Sequence, residues 1–411
     1  MDEALDELNP APRLLMGPGP INADPRVLRA MSAPLLGQFD PQFRQYMEQT
    51  AELYRRVFQT ANRATLVVDG TARSGIEAAL VSIIEPGDRV LVPVFGRFGH
   101  LKVEIAKRCG ADVRAIETEW GSIFPDEVLE SEIRRHNPHL VAVSHGDTST
   151  TMAQPLEGLG RLCREHDALL YVDATATLGG MDLPADAWRL DVVSAGLQKC
   201  LGGPSGAAPL TLNARAEQRV LRRRHTEQGL RTSDAEDGEG TAIRSNYLDL
   251  AMIIDYWSKK ALNHHTEATS MLYAARECAR ILVTEGLAHA FARHATASMA
   301  ITAGLQAMGL ALFGDQKHKM VNVTGVFIPQ GVDGEKVRRA LLNHFAIEIG
   351  TSFGPLHGKI WRIGAMGYNA RADTVLATLG ALEAVLAAEG FKTPRGAAVD
   401  VALAIFRRHA D

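Results

Sequence analysis

Cysteine is scarce in this chain, which has four cysteines among 411 residues, at positions 109, 163, 200 and 278. They stand far apart, so a disulfide framework is not expected in so long a chain, and no pair has metal-ligand spacing. Cys200 adjoins a lysine, but the alternative to a reactive nucleophile is a small buried thiol. His145 has no second ligand near it in the sequence, and we therefore predict no bound metal.

Long apolar runs and a strong net charge are also missing. No run approaches the ~20 residues that a membrane-spanning helix needs. The formal net charge of −4 favours neither nucleic acid nor a membrane surface as a partner. The first seven residues are acidic, whereas export leaders begin with basic residues. We expect a cytoplasmic protein that acts on small molecules, and the length is sufficient for two domains.

A repeated order of strand, turn and helix begins near residue 60. The candidate strands are 65–68, 89–93, 112–117, 139–144, 168–172 and 190–194. The helical patterns between them are 74–84, 99–109, 125–137 and 156–165. Strands separated by helices of this length predict βαβ units and a parallel sheet. Ligands of such sheets bind outside the carboxyl ends of the strands.

The pattern changes in the second half of the chain. Segment 214–240 is rich in charge and glycine and predicts a helix followed by an exposed loop, before two helices at 247–258 and 269–285. Beyond residue 288, helices 296–308, 334–345 and 372–388 alternate with strands 320–329, 347–353 and 359–365, which predicts an α/β unit with an antiparallel sheet. We place the boundary within the long helical stretch before residue 290. The predicted division is an N-terminal arm (1–22), a large domain (23–287) and a small domain (288–411).

Lys199 and Asp173 each follow an apolar strand. Lys199 comes just after strand 190–194, and Asp173 directly ends strand 168–172. Burying an ammonium group is costly, so a lysine at this place needs a partner. Pyridoxal phosphate requires both residue types, because its aldehyde forms a Schiff base with a lysine and a carboxylate keeps its ring nitrogen protonated. We therefore predict this cofactor, with Lys199 and Asp173 as catalytic residues.

A second candidate feature is the turn between strand 65–68 and the next helix, which contains Thr71 and Arg73. A helix N-terminus offers unpaired N–H groups to a phosphate, although an ordinary tight turn is an equally good interpretation of the turn alone. It is not a P-loop, because no Gly-Lys-Ser/Thr follows. Phe98 comes after the second strand, where an aromatic ring can stack on a pyridine or belong to the core.

Two further positions carry polar chemistry. Segment 144–150 has four hydroxyl-bearing residues, which suit a ring oxygen of the cofactor or the cap of the following helix. Arg362 lies within an apolar strand of the second half. Its planar guanidinium suits a substrate carboxylate, and the alternative is a surface arginine on an edge strand.

Taken together, these motifs resemble those of the class V aminotransferases of fold type I, from Leu14 almost to the C-terminus. The matching motifs occur in the family's order: Gly17-Pro18-Gly19-Pro20, Gly70-Thr71-Ala72-Arg73, Val172-Asp173-Ala174, Gln198-Lys199 and Arg362-Ile363-Gly364. The resemblance implies an α/β fold, with a large domain built on a mainly parallel seven-stranded sheet and a smaller C-terminal α/β domain. It also implies pyridoxal phosphate as cofactor and transamination as the reaction.

The resemblance also implies a role for each matching position. It implies Lys199 as the Schiff-base lysine, Asp173 at the ring nitrogen, Phe98 at the stacking position, Ser149 near the ring hydroxyl, Thr71, Ala72, Arg73 and Gln198 around the phosphate, and Arg362 on the substrate carboxylate. Members of the family form homodimers with shared sites. The matching stretch Asn263-His264-His265-Thr266 implies that His264 and Thr266 reach the partner's phosphate site.

Two departures from the alanine-type pattern indicate the amino donor. Gln38 and Asn263 are amides at positions where the ureidoglycine–glyoxylate branch of the family also has Gln and Asn. At these positions the chain therefore resembles that branch more than the alanine-type enzymes. A ureido group is planar and neutral, and amide side chains offer it both donors and acceptors. The alternative is that both are loop and cap residues. We expect ureidoglycine and glyoxylate as substrates and oxalurate and glycine as products, in purine (allantoin) breakdown.

Other functions remain open at this stage. An alanine–, serine– or pyridoxamine-dependent aminotransferase would keep the cofactor and change the donor. A cysteine desulfurase is disfavoured, because no cysteine stands in a long glycine-rich loop of the predicted small domain. A nicotinamide dehydrogenase is disfavoured, because the turn after the first strand is not of the Gly-x-Gly-x-x-Gly type. A non-catalytic cofactor-binding protein is disfavoured, because Lys199, Asp173 and Arg362 are all present.

Overall fold

A seven-stranded sheet forms the centre of the protein in the computed structural model, which describes residues 7–231, 233 and 237–409. The strands in chain order are β1 (Leu14–Leu15), β2 (Ala64–Asp69), β3 (Arg89–Val94), β4 (Asp112–Glu117), β5 (Leu140–Ser144), β6 (Gly146–Asp147), β7 (Met152–Ala153), β8 (Leu169–Asp173), β9 (Val192–Ser194), β10 (Ala207–Leu212), β11 (Val323–Phe327), β12 (Ile347–Glu348), β13 (Gly350–Thr351) and β14 (Ile360–Gly364).

Thirteen α-helices accompany these strands in the described part of the chain. They are α1 (Pro25–Met31), α2 (Pro41–Phe58), α3 (Ala72–Ile83), α4 (Arg97–Arg108), α5 (Asp126–His136), α6 (Glu157–Glu165), α7 (Ala214–Leu221), α8 (Leu250–Trp257), α9 (Thr269–Glu285), α10 (Leu287–Ala307), α11 (Gly334–Phe345), α12 (Ala372–Ala388) and α13 (Ala397–Arg408). Several begin at a side-chain cap, as at Asp24, Asp40, Asn213, Asp249 and Asp333, whose oxygens accept the first free N–H groups.

The central sheet has the order β2-β10-β9-β8-β5-β3-β4. Six strands are parallel, and β10 runs antiparallel to both of its neighbours. Apolar clusters pack on both faces of this sheet, which explains why its inner strands read as continuous hydrophobic runs. Asp173 at the end of β8 lies opposite Ser144 on β5 and Ser194 on β9. The parallel strands therefore bring their last residues to one edge.

The α/β fold with a mainly parallel sheet confirms the fold predicted from the sequence. Each of the six candidate strands corresponds to a strand of the sheet, within two residues at each end. The six candidates did not include the seventh strand, β10. Its sequence Ala-Ala-Pro-Leu-Thr-Leu has one β-branched residue and a proline, and both features weaken a strand pattern.

The C-terminal half builds its own core around an antiparallel sheet, β11-β14-β13, as predicted. Two expectations there were wrong. The single strand 347–353 is divided at the buried Ile349: β12 pairs with β1, whereas β13 pairs with β14. Helix α10 begins at Leu287, well before the predicted residue 296.

Gly286, with φ of +86°, separates α9 from α10, so the predicted single helical stretch before residue 290 is two helices. Glycine adopts this left-handed backbone without a steric penalty. The proposed division between residues 287 and 288 lies next to this break. Within the described residues, no helix combines the length and apolar character of a membrane span.

Candidate active site

Lys199 lies five residues beyond the end of β9 and points toward the N-terminal arm. Its Nζ donates a hydrogen bond to the carbonyl of Pro18. Gly19 has φ of +104°, and a Cβ at that position would collide with the lysine side chain, which explains the glycine in the Gly-Pro-Gly-Pro segment. Burial lowers the pKa of Lys199 to about 8, and the positive charge of Arg362 acts in the same direction. Much of this amine is therefore neutral near pH 8.

Asp173 is the last residue of β8 and is almost fully buried. Its Oδ1 accepts the N–H of Thr175 at 3.0 Å, and its Oδ2 accepts Lys102 Nζ, also at 3.0 Å. The two bonds fix the plane of the carboxylate. Asp173 and Lys199 line the same cavity, as their positions at the ends of two strands predicted.

This cavity, called the Lys199 cavity below, has a volume of about 130 Å³. Its lining consists of Thr71, Ala72, Arg73, Ile76, Phe98, Gly146, Thr148, Asp173, Thr175, Ala176, Gln198 and Lys199. Seven of the thirteen predicted site residues are among them: Thr71, Ala72, Arg73, Phe98, Asp173, Gln198 and Lys199. The other six lie elsewhere and are described below.

The predicted phosphate turn joins β2 to α3. Gly70 has φ of +104°, and Thr71 is the N-cap of α3 but makes no side-chain capping bond. The N-terminus of this 12-residue helix faces the cavity through Ala72 and Arg73. The unpaired N–H groups and positive dipole end of a helix suit an anion.

Asp147 holds two of the predicted residues in place. It is buried, and its carboxylate accepts the N–H of Phe98 at 2.8 Å and both the N–H and hydroxyl of Ser149 at 2.9 and 2.6 Å. Phe98 lines the cavity, whereas Ser149 is fully buried beside it and its hydroxyl also accepts the N–H of Arg97. The predicted role of Ser149 at a ring hydroxyl remains a prediction. Sequence reasoning gave Asp147 no role.

Arg362 is almost fully buried on β14, the central strand of the small sheet, so the edge-strand alternative is wrong. It lies opposite Gly325 and Gly350 on the two neighbouring strands. Its Nη1 donates to the carbonyl of Thr148 at 2.7 Å, and its Nε donates to Thr351 at 2.6 Å. Burial lowers the pKa of Arg362 to about 10, so it stays charged at neutral pH.

One further group of predicted residues lies outside the lining of the Lys199 cavity. Gln38 Nε2 donates to Asn263 Oδ1 at 3.0 Å, so the two amides that were predicted to meet a ureido group are in direct contact. His264 bonds His265 and the carbonyl of Asn246, and burial lowers the pKa of His264. Thr266 is exposed. The roles of all four remain predictions.

A cluster that sequence reasoning missed connects this segment to the phosphate turn. His265 Nε2 lies 3.2 Å from Asp69 Oδ2 and 3.7 Å from Glu267 Oε2, and the N–H of Ala268 donates to Asp69 at 3.2 Å. Burial raises the pKa of Glu267 well above its usual value, and the nearby charge of Asp69 raises it further. Because Asp69 immediately precedes Gly70, segment 263–268 is fastened to the start of the phosphate turn.

Comparison with known proteins identifies the family. The sequence model described as "Aminotransferase class-V" matches residues 29–360. The chain therefore belongs to the class V aminotransferases, in agreement with the resemblance found in its motifs.

Individual relatives narrow the comparison. The (S)-ureidoglycine–glyoxylate transaminase of Bacillus subtilis is 50% identical over 96% of this chain and 95% of its own. The crystal structure of ureidoglycine–glyoxylate aminotransferase from that organism superposes with a TM-score of 0.93, covering 98% of this chain and 100% of that one, at 49% identity. Alanine–glyoxylate aminotransferase of Drosophila melanogaster is 35% identical over 93% of this chain and 94% of its own. Pyridoxamine–pyruvate aminotransferase of Mesorhizobium loti is 27% identical, with a TM-score of 0.88 over 97% and 98% of the two chains.

Proposed function

We propose that this protein binds pyridoxal phosphate and transfers the amino group of (S)-ureidoglycine to glyoxylate, giving oxalurate and glycine in purine breakdown. The observation that carries the proposal is that Lys199 and Asp173 line one cavity, in a chain half identical to the Bacillus subtilis transaminase over nearly its full length. Transfer from alanine or pyridoxamine is the less supported alternative, because the relatives with those activities in their names share 35% and 27% identity.

The residues of the Lys199 cavity fit pyridoxal phosphate. The cavity offers an amine at Lys199, a carboxylate at Asp173 and free helix N–H groups at the phosphate turn. Thr175 and Gln198 also line it, and the Oγ1 and Oε1 atoms of these residues are buried without a hydrogen-bond partner among the described residues. Buried polar atoms are rarely left unpaired, so a polar occupant is expected.

Each predicted residue has a place in this proposal. Thr71, Ala72, Arg73 and Gln198 would hold the phosphate, Phe98 would pack on a face of the ring, and Ser149 would lie near its hydroxyl. When bound, pyridoxal phosphate supplies an aldehyde carbon for an amine and a ring that accepts the electron pair left at Cα.

Three side chains would carry the reaction. Lys199 Nζ, about half of which is neutral near pH 8, would take the proton from Cα of the donor and return one to the carbon of the acceptor. Asp173 would hold the ring nitrogen. Arg362 would bind the carboxylate that ureidoglycine and glyoxylate share, through Nη2, which makes no hydrogen bond within the described residues.

We also propose a homodimer with shared sites. Gln38 and Asn263 contact each other but do not line the Lys199 cavity of their own chain. His264 and Thr266 follow Asn263 directly, so segment 263–266 would approach the partner's cavity, with the amides at the ureido group and the other two near the phosphate. The predicted cytoplasmic location stays a prediction.

A donor screen tests the proposal. Purified protein would be supplied with glyoxylate and with ureidoglycine, alanine or serine, and with pyridoxamine and pyruvate as a separate pair. We expect kcat/KM to be highest for ureidoglycine, because the amides of Gln38 and Asn263 would discriminate against a donor that leaves them unpaired. Equal or higher kcat/KM with alanine would overturn the assignment of the donor and leave the class of reaction intact.

A further inference from the structure

Lys102 is a fully buried lysine beneath Asp173. It lies on α4, and its side chain has no exposed surface. Its Nζ donates to three oxygens: Ser144 Oγ at 2.7 Å, Asp173 Oδ2 at 3.0 Å and the carbonyl of Phe98 at 3.2 Å. A lysine so placed is costly unless its charge is balanced, and the carboxylate of Asp173 balances it.

The other titratable groups around this carboxylate do not replace Lys102. Burial raises the pKa of Tyr171 well above its usual value and lowers the pKa of His145 to about 4, so both are neutral at neutral pH. Lys199 is on the cavity side, where the charges of Asp173 and Asp147 act on it. Within the described residues, Lys102 makes the only ion pair with Asp173.

Lys102 bonds the carboxylate of Asp173 without lining the Lys199 cavity, so it can act on a bound ring only through that carboxylate. Oδ1 already accepts the N–H of Thr175, and Oδ2 accepts Lys102. A ring nitrogen bonded to either oxygen would therefore share the carboxylate with the ammonium group of Lys102.

We propose that Lys102 is a positioning residue of the aminotransferase reaction, which holds Asp173 in place and lowers the proton affinity of the ring nitrogen that Asp173 contacts. The proposal rests on the proposed function, since it requires pyridoxal phosphate in the Lys199 cavity. A protonated ring nitrogen makes the ring attract electrons more strongly, and a carboxylate with no second cation would favour that proton most. Lys102 would therefore weaken the attraction of the ring for electrons.

The expected size of the effect follows from the geometry. The bond from Lys102 Nζ to Asp173 Oδ2 is 3.0 Å, and a hydrogen bond that the ring nitrogen donates to the same oxygen adds ~2.8 Å, so in that arrangement the two cations lie no more than about 6 Å apart. At that distance, with an effective dielectric constant of ~20, their repulsion corresponds to about two pH units in the titration of the ring nitrogen.

The test uses holoenzyme reconstituted with ¹⁵N-labelled pyridoxal phosphate. Solid-state ¹⁵N NMR reports directly whether the ring nitrogen carries its proton, independently of turnover. In Lys102→Gln, which keeps a hydrogen-bond donor and loses the charge, the proton should persist to a pH about two units higher than in the wild type. Lys107→Gln is the matched control, because Lys107 is an exposed lysine on the same helix, and it should leave the midpoint unchanged.

Three results would overturn the inference. One is an unchanged or lower midpoint in Lys102→Gln. Another is a midpoint in Lys102→Arg that rises as far as in Lys102→Gln, although the charge is kept. If the glutamine variant does not fold, Lys102→Met gives the same test, and an unchanged midpoint there has the same meaning. Wild-type protein that binds no cofactor at all would instead overturn the proposed function.

Discussion

The amine of Lys199 is expected to react with an aldehyde at a pH where an ordinary lysine is inert. Its pKa is lowered from 10.5 to about 8 by burial and by the positive charge of Arg362. A fall of that size makes the neutral, nucleophilic fraction roughly 300-fold larger below pH 8 than for an unperturbed lysine. The rate at which apoprotein captures pyridoxal phosphate should therefore rise about tenfold per pH unit up to pH 8 and then level off.

Rapid mixing of apoprotein with pyridoxal phosphate, followed by visible absorbance from pH 6 to 10, measures this rate. Arg362→Gln removes one cause of the shift, so its profile should level off at a higher pH. Arg395→Gln, which removes an exposed arginine, should match the wild type. The reasoning would be refuted if the wild-type rate kept rising through pH 10, or if the Arg362 variant levelled off at the wild-type pH.

Three further predictions concern the donor, the dimer and stability. Gln38→Ala or Asn263→Ala should reduce kcat/KM for ureidoglycine by about 10- to 100-fold and for alanine much less, because each leaves a polar contact unmade; equal losses would remove the case for ureido recognition. Mixing Lys199→Ala with His264→Ala subunits should restore activity in hybrid dimers, and activity no greater than the two variants separately would indicate self-contained sites. Burial lowers the pKa of His294 to about 4, so the unfolded chain binds a proton at this histidine at a higher pH than the folded protein does. The free energy of unfolding should therefore fall by up to ~3 kcal/mol from pH 6.5 to 4. Equilibrium denaturation should show a shallower fall with pH for His294→Leu, and an equal fall in the two proteins would contradict this assignment.

The sequence was informative where local patterns and short chain separations decide the structure. Alternation of apolar strands with helices predicted the parallel sheet, and the rule that ligands lie at the carboxyl ends of strands placed Lys199 and Asp173 together. The two residues come together because β8 and β9 are adjacent parallel strands, whose last residues meet at one edge of the sheet.

Features that depend on distant pairing could not be read from local pattern. The strand at 207–212 is stabilised by its central place between β2 and β9 rather than by its own composition. The predicted strand 347–353 is divided at Ile349 because its first part, β12, pairs with the distant strand β1 near the N-terminus.

The same limit applies to side chains in the site. Lys102 is one charged residue on an amphipathic helix until the fold brings it to Asp173, 71 positions away. The contact between Gln38 and Asn263 joins residues 225 positions apart. The family resemblance singled out both amides, but only tertiary structure brings them into one hydrogen bond.

Borohydride treatment of the purified protein tests the central claim most directly. Reduction should fix pyridoxal phosphate covalently to the chain, and peptide mass analysis should find the added mass on Lys199 alone. Lys199→Ala should carry no such mass and should lack the visible absorption band of the wild type. An adduct on another lysine, or a colourless wild-type protein with no added mass, would contradict the account.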